Sequence, residues 1–461
     1  MKHIVVVGGG IAGIVASLLL AKKGYQVDLV EKEDSCGGLL RSFQTEDGVS
    51  FDLGTHILSQ TMISELDEIL FGDLEETEWE IFDVFKTGNY FRGKLYKQNQ
   101  MINAADLPAD IYLRGLVDLL QTEPFEKPAQ NLKSFTEKQY GLTFSQHIFA
   151  PLMRKLQGCE LEELHQDAHI LFGYTRLIVA NEHASRELKK SSFYDGKISY
   201  TSYNEGVSPS KKYYPKERQG IGKWVDHLVD KAIDAGVAIR TGRYVTQVGL
   251  DNGKVTSIRL DTGETIGCSY VIWTLPSIGL LNAASIQVHS KPPVFRQMSL
   301  HHYVFDRPFL TDNHYVYCND DQLKSFRVTL YPNIINVETA SYNCTVEVLS
   351  EWNGNIEDLN EIIKRELITM GIVEDEASAL YQFGHEVKNG FPIFTNEFVE
   401  TQRDQREIVQ KSFNNVSMIG KGAGVAFFMN EVLIQVYREV EHICNHLSNL
   451  SEQKEVQTLP V

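Results

Sequence analysis

Three glycines at one spacing are the first residues that point to chemistry. Gly8-Gly9-Gly10-Ile11-Ala12-Gly13 fits GxGxxG and follows the β-branched run Ile4-Val5-Val6-Val7 directly. The chemistry it suits is the holding of a pyrophosphate. Gly8 permits a tight turn, Gly10 lets the backbone approach the phosphates, and Gly13 lets the next helix pack closely on the strand. The first turn of that helix, with Ile11 and Ala12, offers free N–H groups and a partial positive charge to an anion. Glu31 ends a second apolar run, Val27 to Val30, where a carboxylate can accept hydrogen bonds from ribose hydroxyls; Lys32 follows it.

The elements that must position these residues are legible around them. Ile14 to Lys23 reads as a helix closed by Gly24, which completes a strand, glycine loop, helix, strand and acid in order. The stretch Ile4 to Ala21 carries no charge and superficially resembles a signal peptide or membrane span, but three consecutive glycines make a poor apolar helix. No other stretch is long enough to cross a bilayer, so a soluble, cytoplasmic protein is expected. Further on, Tyr213-Tyr214-Pro215-Lys216 and Gly220-Ile221-Gly222 precede a helix from about Trp224 to Ala235. Val237 to Arg240 and Tyr244 to Val248 read as strands, Asn252-Gly253 and Thr262-Gly263 as hairpin turns, and Val271 to Leu275 as a strand ending at Pro276. Near the C-terminus a strand Val416 to Ile419 leads into Gly420-Lys421-Gly422-Ala423-Gly424-Val425, then Asn430 and a long helix to about Leu447. Asn is a good helix N-cap, so a capped surface helix is an alternative reading of this segment. Residue 425 is Val and no strand with an acid follows, so this is not a second dinucleotide fingerprint. Two insertions, about 60–212 and 281–390, are rich in aromatic residues; Leu132 to Leu142 and Phe144 to Leu164 read as helical, the second interrupted at Pro151.

Composition excludes several classes. A net charge of −17 repels nucleic acid and anionic lipid, so neither is an expected partner. Cys36, Cys159, Cys268, Cys318, Cys344 and Cys444 are scattered without CxxC or zinc spacing, which suits free thiols in a reducing compartment. His301-His302 lacks the i, i+4 spacing of helical metal ligands and reads as strand-borne and structural. No metal site and no Ser/His/Asp or Cys/His signature is found.

The segment after Glu31 narrows the nucleotide. Gly37-Gly38-Leu39-Leu40-Arg41-Ser42 and then Phe51-Asp52-Leu53-Gly54-Thr55-His56 resemble the acid, GG and R(S/T) extension of the amine oxidase, protoporphyrinogen oxidase and phytoene desaturase superfamily of flavoproteins. The resemblance implies FAD, with Gly38, Leu39 and Arg41 along it and Thr55 and His56 near its ring. It also implies a main-chain contact to adenine near Val245, passage of the cofactor by Thr274, and a flavin motif at Gly420, Val425 and Asn430 whose helix aims its N-terminus at the flavin N1–C2=O edge. Lys421 falls at that edge or in a solvated loop. Gly54-Thr55-His56-Ile57 resembles the stretch that sets a histidine beside the flavin in UDP-galactopyranose mutases, and Gly390-Phe391-Pro392-Ile393-Phe394 a segment of protoporphyrinogen oxidase-like proteins. Asn131 to Phe135, Tyr140-Gly141, Pro151 to Gly158 and Glu163-Leu164 resemble the middle of both groups. Arg176, Arg186 and Arg327 are the candidates for the arginines with which the mutases bind a nucleotide diphosphate, though none sits in a full copy of that context; the C-terminus of the true protoporphyrinogen oxidases is also only partly reproduced.

The expected architecture is therefore α/β. A Rossmann-type, glutathione-reductase-like FAD domain is assembled from 1–60, 213–280 and 391–450. An inserted α+β substrate domain comes from 61–212 and 281–390, and 451–461 forms a flexible tail. The expected activity is FAD-dependent dehydrogenation of an amine, amino sugar or unsaturated ring by hydride transfer to flavin N5. His56 and Arg327 are the candidate catalytic side chains. The sequence has no second Rossmann unit for a nicotinamide, so oxygen, a quinone or another protein would take the electrons. The alternative is a mutase-like sugar isomerase with no net redox. The partner is a small-molecule substrate, and a homodimer is compatible with the sequence.

Overall fold

The computed structural model describes residues 2–457 except 127, 206–208, 217, 218, 337–341, 350, 353 and 425. Val425 therefore lies outside the described residues, as do the last four residues of the expected tail; the helix Met429–Gln457 runs into the rest of it.

Strand β1 (His3–Val7), helix α1 (Ile11–Lys22) and strand β2 (Gln26–Val30) form the expected unit. β1 and β2 are central strands of a five-stranded parallel sheet in the order Ala238–Arg240, β2, β1, Tyr270–Trp273, Val416–Met418. Three separate stretches of chain thus build one sheet. Their central runs are β-branched and apolar because both faces are covered: one by α1 and the helices Gly222–Asp234 and Met429–Gln457, the other by the antiparallel strands Val245–Asp251, Lys254–Leu260 and Thr265–Gly267 with residues of the helices Ser277–Ala283 and Asn396–Ser412. Helix α1 is buried along most of its length, from Ala12 to Leu20, which explains its uncharged sequence as that of a core helix. Register aligns Val7 with Val30 and Trp273, and Trp273 with Met418, so the strands end at one level. The loops after them open on a shared crevice, where an open parallel sheet binds its ligand.

A second, seven-stranded sheet comes almost wholly from the insertions. Its order is Ala379–Glu386, Ser299–Phe305, Tyr342–Val348, Ser325–Leu330, Tyr315–Cys318, Thr87–Phe91, Lys94–Tyr96. His301 and His302 lie on its strand Ser299–Phe305 and are fully buried, in keeping with a structural role. Asp52 ties the two layers together: its carboxylate accepts from Ser42, Tyr214 and the Ile221 amide, and its own amide donates to the Tyr331 hydroxyl.

Two sequence expectations need correction. The helical run does not break at Pro151. It breaks at Gly141 (φ +86°) and then continues through Leu142–Phe144, a π turn Ser145–Phe149 and Ala150–Gln157. The wider π turn accommodates a ring that cannot donate to the preceding turn, so the helix passes through the proline. It ends at Gln157, not Leu164, because Gly158 turns left-handed (φ +69°). Asn430, second, is not a helix cap. The helix begins at Met429, the Glu431 carboxylate caps the amides of Phe427 and Phe428, and Asn430 Nδ2 donates to the Gln60 carbonyl.

Candidate functional site

The crevice is made of backbone. Gly8 takes φ +103°, and a Cβ on Gly13 would lie 1.9 Å from the Gly8 carbonyl oxygen, so the turn and the close helix packing both require glycine. Gly10 differs: a Cβ there would meet nothing within 4 Å. Its lack of a side chain leaves the space itself open, as close approach of a pyrophosphate demands. Helix α1 opens there through Ile11 and Ala12 with no acid in its first turn and no side-chain cap, so its dipole is unopposed. The Gly37 amide donates to the Gly9 carbonyl at 2.7 Å, and Gly38 (φ +57°) stands with its missing Cβ 3.6 Å from the Gly10 Cα. Glu31 accepts from the Gly9 amide at 2.6 Å and the Glu33 amide at 2.9 Å, which fixes the acid at the crevice.

The remaining expected cofactor residues surround this cradle. Arg41 closes the loop by donating to the Gly38 carbonyl and Ser35, and Leu39 is exposed beside it. Lys32 is exposed and pairs with Glu33. Val245 opens a hairpin strand at a β-bulge, and the adjoining Arg243 amide donates to the Glu31 carbonyl. Thr274 donates its hydroxyl to the Val7 and Gly8 carbonyls, so its role is to brace the turn. Gly420 (φ +77°) brings the C-terminal loop against Ala12, and its amide donates to Gln435.

A wall of side chains forms the second part of the site. Arg327 and Glu347 face each other across adjacent strands. They make a two-pronged pair, Nε to Oε1 at 2.8 Å and an Nη to Oε2 at 2.9 Å. Glu347 also accepts from the Thr55 amide and hydroxyl, both at 2.9 Å. Arg327 further donates to the Tyr317 hydroxyl and lies over the Tyr317 and Phe326 rings. Burial pushes the Glu347 carboxyl up, but the Arg327 charge and the donated hydrogen bonds outweigh it and hold it below the usual carboxylate range.

His56 follows Thr55 and completes this wall. A Cβ on Gly54 would lie 3.4 Å from His56 Nε2 and 3.7 Å from Glu347 Oε1. Burial lowers the imidazole pKa to about 4 against the pull of Glu347, helped by Lys421 and Arg327, so the ring is neutral near pH 7. Its buried Nε2 has no hydrogen-bond partner among the described residues. Lys421 has an exposed surface, yet surrounding protein desolvates its ammonium and, with Arg327, lowers its pKa. Its charge helps to keep the His56 ring neutral.

The structure therefore brings together His56, Thr55, Arg327 and Lys421. Arg176 donates to the Asp195 carbonyl, and exposed Arg186 pairs with Glu182 and Glu205. Glu347 was missed in the sequence, although an acid inside the strand run Thr345-Val346-Glu347-Val348 is a readable signal.

The flavin containing amine oxidoreductase family matches residues 11–306, well over half of the chain. The chain belongs to that family. It is an FAD-dependent enzyme of the oxidoreductase class, and the open Gly10 cradle at an uncapped helix N-terminus fits the pyrophosphate of FAD. A 4,4'-diaponeurosporene oxygenase from Staphylococcus haemolyticus (strain JCSC1435) is 30% identical over 293 residues, 59% of this chain and 54% of that protein. The chain thus spans about half the length of the curated relatives it matches. Among solved structures, reduced UDP-galactopyranose mutase superposes with a TM-score of 0.77 at 17% identity, covering 96% of each chain. A protoporphyrinogen oxidase-like protein from Exiguobacterium sp. 255-15 gives 0.67 at 13% identity, covering 96% of this chain and 98% of that one. These two likenesses carry the fold. Among the described residues, no helix is long and apolar enough to cross a membrane.

Proposed function

We propose that the chain dehydrogenates a small organic substrate held between the FAD crevice and the His56 wall. The bound flavin would supply a two-electron acceptor at N5. The chain's residues orient the donor. Neutral His56, whose buried Nε2 has no partner among the described residues, would accept from a donor that a bound flavin or substrate brings against it. Glu347 holds the Thr55 backbone and hydroxyl and so fixes the loop that carries His56. Sequences of this family and a diaponeurosporene oxygenase relative support net oxidation.

The observation that carries the reading against a mutase is the engagement of the arginines. Arg327 spends its fork on Glu347 and Arg186 is paired with Glu182 and Glu205, so of the three candidate arginines only Arg176, bonded through Nε to the Asp195 carbonyl, keeps its outer nitrogens for a ligand, and one guanidinium does not make the pair that a diphosphate would need. The test is His56→Ala in single-turnover flavin reduction by amines, amino sugars and unsaturated ring compounds. Loss of about ten-fold or more in reduction rate with full FAD content supports the reading. An unchanged rate with every substrate that reduces the wild type contradicts it.

A further inference from the structure

The two edges of the seven-stranded sheet are finished differently. Lys94–Tyr96 closes one edge with three residues. It carries Lys94, is followed by Lys97, and its Tyr96 hydroxyl is tied to the Thr201 carbonyl. Short length and lysines are what keep a sheet edge from pairing with another chain. Ala379–Glu386 forms the other edge with eight residues and holds neither lysine nor proline. Hydrogen bonds between Ser378 and Asp306, and from Val387 to Met298, extend it at both ends. A bulge at Leu380 interrupts it once, and Tyr381 to Glu386 then pair with Val304 to Ser299 in unbroken register. Among the described residues the main chain of this strand pairs only with Ser299–Phe305, so its outer row of N–H and C=O groups is open. Apolar side chains flank that row. Leu380 is 62% exposed, Phe383 43%, and Ile362, next to the Glu361 that bonds Gln382, 41%.

The two ends of the strand carry opposite charge. Arg307 pairs with Glu374, while exposed Asp375 and Glu376 before the strand and exposed Lys388 after it make no ion pair with a described residue. Glu376 stands six residues before Gln382, and Lys388 six after it. A two-fold axis at Gln382 therefore sets Lys388 of each copy against Glu376 of the other. Glu386, the one acid inside the strand, falls opposite Ser378. We infer that this edge is the docking surface for a second copy of the chain, the two Ala379–Glu386 strands lying antiparallel about that axis so that the two sheets run on as one. One edge serves both copies, as a closed dimer requires. The inference does not depend on the dehydrogenase reading.

Sedimentation velocity of the FAD-loaded full chain over a wide range of concentration tests it. Expected is a dimer that dissociates on dilution. Leu380→Asp places a charge on the open edge and yields a monomer with unchanged FAD content and circular dichroism, because that side chain lies mostly in solvent. Lys388→Glu weakens the dimer about ten-fold, and adding Glu376→Lys to the same chain restores it, since the axis repeats each pair. A wild type that stays monomeric at every concentration overturns the inference and leaves the edge to a different protein. A dimer untouched by Leu380→Asp, or a double variant no tighter than Lys388→Glu alone, overturns it as well. If Leu380→Asp does not fold, the charge exchange decides, because Glu376 and Lys388 are exposed and lie outside the strand.

Discussion

Around Gly10 the groups that face a ligand are main-chain N–H groups at the end of one helix, all within a few residues of each other. Around His56 they are side chains from four distant segments, at Thr55-His56, Arg327, Glu347 and Lys421. The crevice obtains its field from a helix dipole and its shape from missing side chains. The wall obtains its field from formal charges that must be paired when buried. On the proposed reading, binding of the cofactor is entrusted to backbone, which few substitutions can alter, and recognition of the substrate to side chains, which can be exchanged one at a time.

The largest expected effect breaks the wall. Glu347→Ala leaves Arg327 buried and uncompensated, which costs about 3–5 kcal/mol. Chemical denaturation of the variant should show that loss, whereas the double variant Arg327→Met, Glu347→Leu should recover most of it and remain inactive. A double variant as unstable as Glu347→Ala would mean that the pair does not account for the loss.

The crevice breaks differently at Gly13 and at Gly10. Gly13→Ala drives a Cβ into the Gly8 carbonyl, and overpacking of this kind costs about 1–3 kcal/mol in the apoprotein. Gly10→Ala meets no protein atom and should leave the apoprotein melting temperature unchanged while weakening FAD binding. Equal melting temperatures for both apoprotein variants would remove the distinction between a packing glycine and a ligand-facing one.

Titration sharpens the contrast, because the wall ionises and the backbone crevice does not. Burial lowers His56, His301 and His314 to about 4, so between pH 6.5 and 4 the unfolded chain binds more protons on them than the folded one. Stability is thus lost as the pH falls through that window, by about 1.4 kcal/mol per pH unit for each histidine not offset. Burial raises Asp52 to about 6, which acts in the opposite sense: its contribution is present at low pH and is lost as the pH rises from 3.8 to about 6, offsetting roughly one histidine. Denaturation midpoints between pH 7 and 4.5 should fall with acid, and less steeply in His56→Ala. A flat profile would contradict the burial of these rings. The smallest effect is at the junction of the two regions. Asn430→Ala removes the bond to the Gln60 carbonyl and should cost about 0.5–1.5 kcal/mol with FAD retained.

Much of the crevice was legible because its signal is local. Gly8, Gly10, Gly13 and Glu31 lie in one strand–helix–strand unit, and backbone geometry dictates their types. The order of strands at Tyr270–Trp273 and Val416–Met418 followed from short β-branched runs. The wall was only half legible. His56 was readable through its resemblance to a flavin-facing stretch, but the Arg327–Glu347 pairing depends on the register of two strands, which no spacing encodes. Lys421 read slightly better as a solvated loop lysine than as a flavin-edge one, and the structure leaves it exposed. The passage of the helix through Pro151 was hidden for a similar reason, because the π turn that accommodates the ring leaves no compositional mark.

The central claim is that this flavoenzyme removes two electrons from its substrate. The direct measurement is the visible flavin band of the oxidised, anaerobic holoenzyme after mixing with an amine, an amino sugar or an unsaturated ring compound, with the product analysed by NMR. The account predicts bleaching of the band and a product poorer by two hydrogens. An oxidised band that persists with every compound, together with a sugar isomer formed only after prior reduction by dithionite, would contradict it.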